Sequence, residues 1–356
     1  MSFNHIPVIS NPEDNINRRI TMGKKGIAVA GNMIVDMLYP VSNFPKPGEL
    51  VTITGDMSRA TGGCLCNDII DLAALDSSLS LTALGRVGTD EAGDFVLDYM
   101  KRWPNINLKG IKRSGTTSYT LVIFDETTKQ RSFYQCRGAN ADFCESDIDW
   151  DTLDVDLLHI GYILLLDALD EPDSIYGTKM ARLLHTAQQR GIKTSIDVVS
   201  EAGERFHRIV PPALRYADYC IINEIEAQAT TGIPLLDSRG NPVSEAMSAA
   251  LKKIKELGVS IWAVIHCPQG GYGLDENNNY IEVPGLKLPE GYIKGSVGAG
   301  DAFCSGVLYA AWKGMDLRNG LELGTAAAAC SLSQPGATEG MRSAEETMSL
   351  YRKFRS

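Results

Sequence analysis

Basic residues are in deficit along this chain. Its 356 residues include 34 Lys and Arg against 44 Asp and Glu, which gives a formal net charge of -10. A protein that binds nucleic acid or an anionic membrane needs basic side chains to meet the phosphates. The charge balance therefore argues against both partners, whereas a small phosphate-bearing ligand held by local dipoles and a metal ion is compatible with it.

Long apolar runs are also lacking, and the N-terminal region is not typical of a secretory leader. No stretch of about 18 apolar residues occurs, and the N-terminal region reads N-P-E-D-N-I-N-R-R, which is polar. We expect a cytoplasmic protein in which residues 1–22 form a loosely ordered extension and residues 23–356 form one folded domain. No Pro- or Gly-rich linker divides that domain.

Clusters with metal-ligand spacing are missing as well. Eight cysteines are dispersed along the chain, and Cys64-x-Cys66 has no second Cys or His pair at the spacing of a zinc site. Several thiols lie within apolar runs, such as Cys220 in D-Y-C-I-I and Cys330 after four alanines. The pattern predicts small buried side chains in a reducing compartment.

The sequence does contain an alternation of apolar strands and amphipathic helices. Short apolar runs bounded by turn residues predict strands at 26–31, 157–160, 192–197, 219–222 and 261–265. One predicted helix includes Ile175 and Met180 and ends at Gly191, and another ends at Gly258. Continuous apolar strands joined by such helices are typical of a parallel sheet that is covered on both faces.

Two regions break this alternation and predict separate β structure. Pro40–Met57 and Thr116–Arg137 are typical of antiparallel strands, and D-E-T-T-K-Q within the second region predicts a hairpin turn. We expect a small antiparallel sheet from about 38–60 and 115–138, here called the lid. It should lie over the carboxyl ends of the parallel strands, where α/β sheets bind ligands. Its exposed edges would suit a homodimer formed through the lid.

The most specific motif is G-S-V-G-A-G-D, from Gly295 to Asp301, which opens directly into an apolar helix that ends at Gly314. Backbone N–H groups and the helix dipole make such a turn an anion site. Asp301 adds a carboxylate beside that site. Donors for phosphoryl oxygens next to a base are what phosphoryl transfer requires, although a glycine turn alone is also compatible with a plain strand-to-helix connection.

Further motifs occur in a fixed order before this turn. They are Gly62 and Gly63 followed by Asn67, the block L-G-R-V-G-T-D-E-A-G at 84–93, and N-E-I-E at 223–226. Together with G-A-G-D they resemble the ribokinase-like, or PfkB, family of carbohydrate kinases. The resemblance covers roughly residues 26 to 337. Arg86 and Asp90, within the second block, are interpreted as structural.

The resemblance implies a three-layer α/β/α fold with a mostly parallel central sheet and a small antiparallel lid. It also implies transfer of the γ-phosphoryl group of ATP to an alcohol. Asp301 matches the family's catalytic base. The residues that match the family's anion hole are Gly298, Ala299 and Gly300. An aspartate of ordinary pKa suffices as a base, because the hydroxyl becomes acidic only as the phosphoryl group arrives.

The same resemblance implies the residues that contact the two substrates and Mg²⁺. The acceptor side matches Asp36, Gly62, Gly63 and Asn67. The nucleotide side matches Asn223, Glu226, His266 and Gly271. Glu226 is also expected to hold Mg²⁺, through water. On spacing alone, N-E-I-E is an ordinary helix start, Asp36 is a turn cap and the glycine pair is a tight turn.

The sequence departs from the family pattern in three places. Gly295 and Ser296 stand where the signature usually begins D-T, which weakens the expectation of a monovalent-cation site. H-C-P-Q-G-G, at 266–271, replaces the common T-L-G-x-x-G, and Pro268 removes a backbone donor from that loop. D-V-V-S-E, from Asp197, replaces D-x-N-x-R.

The acceptor is less well defined by the sequence. Family members that act on sugar phosphates commonly carry a lysine where this chain has Cys64, which favours an uncharged sugar or the ribose of a nucleoside. Arg137 near the lid leaves a sugar acid or a sugar phosphate open. Tyr119, Phe133 and Tyr134 suit a lid over a ring, although aromatic residues in strands also serve packing.

Two other classes of protein provide alternatives. A nucleotide-dependent dehydrogenase would carry G-x-G-x-x-G after the first strand, where this chain has none. A non-catalytic metabolite-binding protein on the same fold is compatible with the altered nucleotide loop, whereas the intact G-A-G-D argues for a kinase.

Overall fold

A computed structural model describes residues 24–128, 130–200 and 205–355. The predicted N-terminal extension, residues 1–22, lies outside the described residues. The strands are β1 (Ile27–Gly31), β2 (Ile34–Val41), β3 (Ser58–Gly62), β4 (Leu81–Val87), β5 (Ile106–Arg113), β6 (Ser118–Asp125), β7 (Arg131–Cys136), β8 (Leu157–Ile163), β9 (Pro172–Asp173), β10 (Gly177–Thr178), β11 (Lys193–Val198), β12 (Tyr219–Asn223), β13 (Trp262–Cys267), β14 (Gly270–Leu274) and β15 (Tyr280–Pro284).

Ten α-helices lie within the described ranges. They are α1 (Cys64–Leu75), α2 (Glu91–Met100), α3 (Asp167–Asp170), α4 (Lys179–Gln189), α5 (Phe206–Leu214), α6 (Glu224–Thr231), α7 (Ser244–Leu257), α8 (Ala299–Lys313), α9 (Leu317–Ser331) and α10 (Ala344–Phe354). In the part of the chain that is described, no helix combines the length and the hydropathy needed to span a bilayer.

The central sheet has nine strands in the order β15-β14-β13-β12-β11-β8-β1-β4-β5. Neighbouring strands are parallel from β13 to β5, and β14 and β15 add an antiparallel hairpin at one edge. The prediction of a mostly parallel sheet is confirmed. Parallel strands need crossover connections, and the helices supply them.

Alternate side chains of β1 enter two different hydrophobic cores. Ala28 and Ala30 pack in a core that also contains residues of α4, α5, α6 and α7. Ile27 and Val29 pack in a second core with residues of α1, α8 and α9. Because strand side chains point alternately to opposite faces, the sheet is covered on both sides, which gives the predicted three layers.

The lid is a four-stranded sheet in the order β3-β2-β6-β7. The pairs β2–β3 and β6–β7 are antiparallel, as predicted, and the central pair β2–β6 is parallel. Asp125 Oδ1 accepts hydrogen bonds from the amides of Thr127 and Thr128, which forms the hairpin turn. Strands β3 and β7 are the two edges, and a homodimer through them stays a prediction.

The first lid segment differs from the prediction in its boundaries. Strand β2 begins at Ile34, and residues 42–57 lie outside the strands, with one bridge between Val41 and Ile53. Pro45 and Pro47 lack the backbone donors that a strand ladder requires. Gly48, at φ +89°, turns the chain. The apolar residues of this segment therefore form an exposed loop.

One helix start was also predicted too early. Ile175 is 80% exposed and precedes α4. Thr178 caps the helix by accepting a hydrogen bond from the amide of Ala181. Gly177, at φ +92°, interrupts any helix before that cap. The apolar spacing alone did not reveal this break.

Candidate active site

A cleft of about 240 Å³ lies where the parallel strands β8, β11, β12 and β13 end and α8 begins. Its lining consists of Tyr162, Asp197, Val198, Val199, Ser200, Asn223, Glu226, His266, Gly300 and Asp301. A larger hollow of about 490 Å³, beside Lys24 and Trp312, includes none of the motif residues. The carboxyl edge of a parallel sheet is where such folds bind ligands, and the motifs meet there.

Asp301 lies in the first turn of α8 and is 7% exposed. Its Oδ2 accepts a hydrogen bond from Asn67 Nδ2 at 2.8 Å, and its Oδ1 accepts one from the Tyr162 hydroxyl at 2.5 Å. Burial, followed by the nearby charge of Asp68, raises the pKa of Asp301 to about 7. The carboxyl group is thus held by two neutral donors rather than by a buried ion pair.

The turn before Asp301 presents main-chain donors. Gly298 caps α8 in the left-handed conformation, at φ +76°, and a Cβ there would lie 2.6 Å from the Ala337 methyl. The amide of Ala302 donates to the Gly298 carbonyl at 2.8 Å. The amides of Ala299, Gly300 and Asp301 precede that first helical bond, and no main-chain carbonyl among the described residues accepts from them. Such donors at a helix start suit an anion.

His266 closes one side of this turn from the end of β13. Its ring packs against Phe303, with centroids 4.8 Å apart, and a Cβ on Gly300 would lie 3.3 Å from its Cε1. Burial lowers the pKa of His266 to about 4, so the ring is neutral at physiological pH. The imidazole thus adds shape to the cleft without adding charge.

Gly271, which the sequence places on the nucleotide side, has a different position. It pairs with His266 across the β13–β14 hairpin, and a Cβ there would lie 2.8 Å from Phe303. It is buried and is not among the residues that line the cleft. H-C-P-Q-G-G is thus a strand-turn-strand, and Gly271 permits the ring of Phe303 to pack against the hairpin.

Asn223 and Glu226 form the start of α6. Asn223 Oδ1 accepts from the amides of Ile225 and Glu226, while Glu226 Oε2 accepts from the amide of Asn223. Glu226 Oε1 also accepts from Asn223 Nδ2 and Ser200 Oγ, both at 2.8 Å. This is a capping box. Glu226 is buried, Asn223 is half-buried, and both line the cleft.

Asp197 and Tyr162 belong to the cleft, although the sequence motifs did not select them. Burial and then the charge of Glu226 raise the pKa of Asp197 well above its usual range. Burial also raises the pKa of Tyr162, whose hydroxyl is a donor to Asp301. The departure at D-V-V-S-E marks Asp197 in the sequence. Tyr162 has no comparable signal, because its role depends on the meeting of β8 with α8.

The predicted acceptor-side residues meet at the junction of the lid and α1. Asp36 on β2 faces Gly62, where a Cβ would lie 2.5 Å from its Oδ2. Gly63, at φ +87°, caps α1, and a Cβ there would lie 2.6 Å from the Asn32 carbonyl. Burial is the largest influence on Asp36 and raises its pKa to about 6. Asn67, one turn into α1, connects this region to Asp301.

Arg137 lies at the end of the lid, after β7. Its Nε is 3.9 Å from Asp167 Oδ1, and its Nη1 is buried without a hydrogen-bond partner among the described residues. A buried guanidinium nitrogen without an acceptor is costly, so it marks a place for an anion or a water molecule. Arg86 pairs with Asp147 at 2.7 Å, and Asp90 caps α2 through the amide of Gly93 at 3.0 Å.

The loop with Gly295 and Ser296, where the chain departs from the family's D-T, is tightly packed. A Cβ on Gly295 would lie 2.6 Å from the Pro335 carbonyl oxygen, so the backbone leaves no room for a side chain there. Ser331 Oγ lies 3.0 Å from the carbonyl oxygen of Ala337 and 3.4 Å from that of Val297. A serine hydroxyl therefore contacts both loops that flank the anion turn.

This geometry defines a class: an α/β phosphotransferase with an alcohol acceptor, in which donors and a carboxylate share one helix start. The model of the pfkB family carbohydrate kinases matches residues 24–344, and the chain belongs to that family. An uncharacterized sugar kinase of Archaeoglobus fulgidus is 25% identical over 72% of this chain and 93% of that protein. The 5-dehydro-2-deoxygluconokinase of Clostridium perfringens is 21% identical over 93% of this chain and 94% of its own length.

Solved structures share the fold. A ribokinase of Thermotoga maritima superposes with a TM-score of 0.74 at 24% identity, over 92% of this chain and 99% of its own. A ribokinase of Arabidopsis thaliana, complexed with ribose and ATP, superposes with a TM-score of 0.72 at 18% identity, over 93% of this chain and 99% of its own. The nucleoside kinase of Methanocaldococcus jannaschii superposes with a TM-score of 0.70 at 18% identity, over 93% of this chain and 100% of its own. The predicted ribokinase-like fold is confirmed.

Proposed function

We propose that this protein is an ATP- and Mg²⁺-dependent kinase that phosphorylates a hydroxyl of a sugar or of the ribose of a nucleoside. One observation supports this most strongly. The Asp301 carboxyl, held by two neutral donors, lies beside backbone amides of the α8 turn in the cleft. That arrangement provides a base for the acceptor hydroxyl and donors for the migrating phosphoryl oxygens.

Asp301 acts as the base in this proposal. It accepts the hydroxyl proton, and with a pKa of about 7 it is a stronger base than an ordinary aspartate. The amides of Ala299, Gly300 and Asp301 stabilise the charge on the γ-phosphoryl oxygens. Neither role needs a charged side chain to move.

The nucleotide side of the proposal uses the cleft residues that surround this turn. Glu226, through water, and Asp197 are the carboxylates that would hold Mg²⁺, since hard cations prefer oxygen ligands. Both line the cleft, and burial raises the pKa of Glu226 to about 7 and raises the pKa of Asp197 well above its usual range. Mg²⁺ supplies charge neutralisation on the phosphates. Asn223 and His266 would flank the nucleotide.

On the acceptor side, Asp36 and Asn67 would hold hydroxyl groups beneath the lid. Cys64 presents no charge to an acceptor, because its side chain is fully buried beneath Gly161. The A. thaliana ribokinase and the M. jannaschii nucleoside kinase support an uncharged acceptor by analogy.

A second acceptor class, a sugar acid, is favoured by one specific observation. Arg137 Nη1 is buried without a partner at the end of the lid, where a carboxylate could accept from it. The C. perfringens relative, a 5-dehydro-2-deoxygluconokinase, supports this candidate. A sugar phosphate would place an anion at the same arginine.

The test is ADP release from Mg-ATP across a matched panel: ribose, fructose, adenosine, gluconate, 5-dehydro-2-deoxygluconate and ribose 5-phosphate. Acceptor-dependent ADP release with an uncharged member supports the leading proposal. Release only with acids, lost in Arg137→Ala but kept in the exposed control Arg102→Ala, supports the second. Binding of ATP with no turnover on any acceptor would instead support a non-catalytic metabolite-binding protein.

A further inference from the structure

We propose that Cys64, Asp68 and His159 form a buried site for a transition-metal ion, and that the ion it suits best is Zn²⁺. Cys64 and Asp68 are one turn apart on α1, and His159 faces them from β8. All three side chains are fully buried, and none of them lines the cleft. The site is therefore separate from the proposed Mg²⁺ position.

The three ligand atoms form a compact triangle. Cys64 Sγ is 3.1 Å from Asp68 Oδ2 and 3.4 Å from His159 Nε2, and that nitrogen is 3.1 Å from the same carboxylate oxygen. A tetrahedral Zn²⁺ with ordinary Zn–S, Zn–N and Zn–O bonds separates its ligand atoms by about 3.3–3.6 Å. Small shifts of the side chains would therefore accommodate the ion.

The surroundings of the triangle suit ligation. His159 Nδ1 lies 3.0 Å from Ser195 Oγ, which fixes the ring and directs Nε2 toward the other two ligands. Asp68 Oδ1 accepts from Ser305 Oγ at 3.1 Å, which leaves Oδ2 for the ion. Cys304 Sγ approaches from α8 to 3.8 Å from His159 Nε2 and is the candidate fourth ligand.

Hydrogen bonds alone do not account for the three atoms that approach one ring nitrogen, Nε2 of His159. Nε2 has two sulfur atoms and one carboxylate oxygen within 3.8 Å, yet it can donate or accept only one hydrogen bond. A metal ion joins all of these atoms at once. The proton-only alternative is a Ser195–His159–Asp68 chain in which Cys64 is an unionised donor.

Charge gives an independent argument. Asp68, Asp71, Asp197 and Asp301 are buried near one another, and their charges act on each other. Within the described ranges, none of the four forms an ion pair with a lysine or arginine, and His159 is the sole basic partner, at Asp68. Burying several carboxylates without cations is costly. Zn²⁺ would neutralise the Asp68 carboxylate and the Cys64 thiolate together, and binding would release the thiol proton.

The ion would hold the base in position. Helix α1 supplies Asn67, and β8 supplies Tyr162, which are the two donors to Asp301. A metal that joins α1 to β8, and through Cys304 to α8, would fix these three elements relative to one another. Its role in the proposal is structural, with no part in the proton transfer.

The test is the metal content of the full-length protein after growth with zinc and gel filtration. We expect about one zinc per chain in the wild type, and at least a tenfold loss in Cys64→Ser and His159→Gln. Cys66→Ser, a buried thiol on the same helix without a ligand role, is the matched control and should keep its zinc. Thiol-specific mercurials should release the ion from the wild type.

A second measurement covers variants that fail to fold. Wild-type protein that is stripped of metal and loaded with Co²⁺ should show intense visible bands and a thiolate-to-cobalt charge-transfer band, and chelation should lower its unfolding temperature. The proposal is overturned if wild type and Cys66→Ser bind neither ion at equimolar concentration. Equal zinc in wild type and Cys64→Ser would also overturn it. Neither readout depends on kinase activity.

Discussion

The two parts of the proposed active site, one for the phosphoryl group and one for the acceptor, are built in different ways. At the proposed phosphoryl site, the donors are main-chain amides of the α8 turn, and a single side chain, Asp301, is the proposed base. At the proposed acceptor site, the candidate contacts come from the lid strand β2, the start of α1 and the segment after β7. Main-chain geometry leaves a compact glycine signature in the sequence. Side chains assembled from distant segments leave no single motif that covers them all, so the reaction type is easier to infer than the substrate.

The first prediction tests the phosphoryl part of this comparison with Asp301→Asn. The amide keeps the shape and loses the base, so turnover should fall by about 10²–10⁴-fold while ATP affinity changes little. Steady-state ADP release and a binding titration measure the two effects. Asp316→Asn, at the exposed cap of α9, is the control. Near-normal turnover of Asp301→Asn would remove Asp301 from the mechanism.

The second prediction tests the main-chain half of the comparison with two glycines. Gly298 and Gly240 have φ of +76° and +78°, but a Cβ on Gly240 meets open space. Both alanine variants should lose about 1 kcal/mol of stability from the left-handed conformation. Only Gly298→Ala should also misplace the anion turn and lower kcat, by about a hundredfold. Equal kcat values in the two variants would show that the turn does not bind the phosphoryl group.

The third prediction concerns the acceptor part. Asp36→Asn removes a charged hydrogen-bond acceptor for substrate hydroxyls, so KM for the acceptor should rise by about 10–100-fold. The KM for ATP should stay within about twofold if the two parts act separately. Asp56→Asn, in the exposed loop of the lid, should change neither value. A rise in the ATP KM alone would place Asp36 on the nucleotide side rather than the acceptor side.

The smallest expected effect is on pH dependence. Asp301 acts ionised, so kcat/KM should rise with pH and level off above a pKa of about 7. The Tyr162 hydroxyl stabilises the carboxylate and lowers that pKa, so Tyr162→Phe should move the rising limb to higher pH. Tyr309→Phe, which loses a 2.9 Å bond to Asp76 instead, should leave the limb in place. If the rising limb of the pH profile does not shift in Tyr162→Phe, it reports the titration of a group other than Asp301.

The fold was largely predictable because hydrophobic periodicity is local. Parallel strands such as β1 and β12 are continuous apolar runs, and the glycine turn before Asp301 marks the start of α8. The boundaries were wrong where a single backbone feature outweighs periodicity, as at Gly177 before α4 and at the prolines of residues 42–57. Those breaks depend on φ values and missing donors rather than on hydropathy.

The candidate site was predictable in part. Asp301, Asn67, Asn223, Glu226 and His266 meet around the α8 turn, whereas Gly271 packs beneath Phe303 instead. Tyr162 could not be found from sequence, since its contact with Asp301 joins residues 139 positions apart. The same reason hid the approach of Cys64 to His159, which are 95 positions apart. Contacts of this kind follow from topology.

The most direct test of the central claim follows the phosphoryl group itself. Phosphorus NMR of Mg-ATP with the best acceptor of the panel should show a new phosphate monoester forming in step with ADP in the wild type. Asp301→Asn, with ATP bound, should form it at least about a hundredfold more slowly. Formation at the same rate in both proteins, or release of inorganic phosphate alone, would contradict the account.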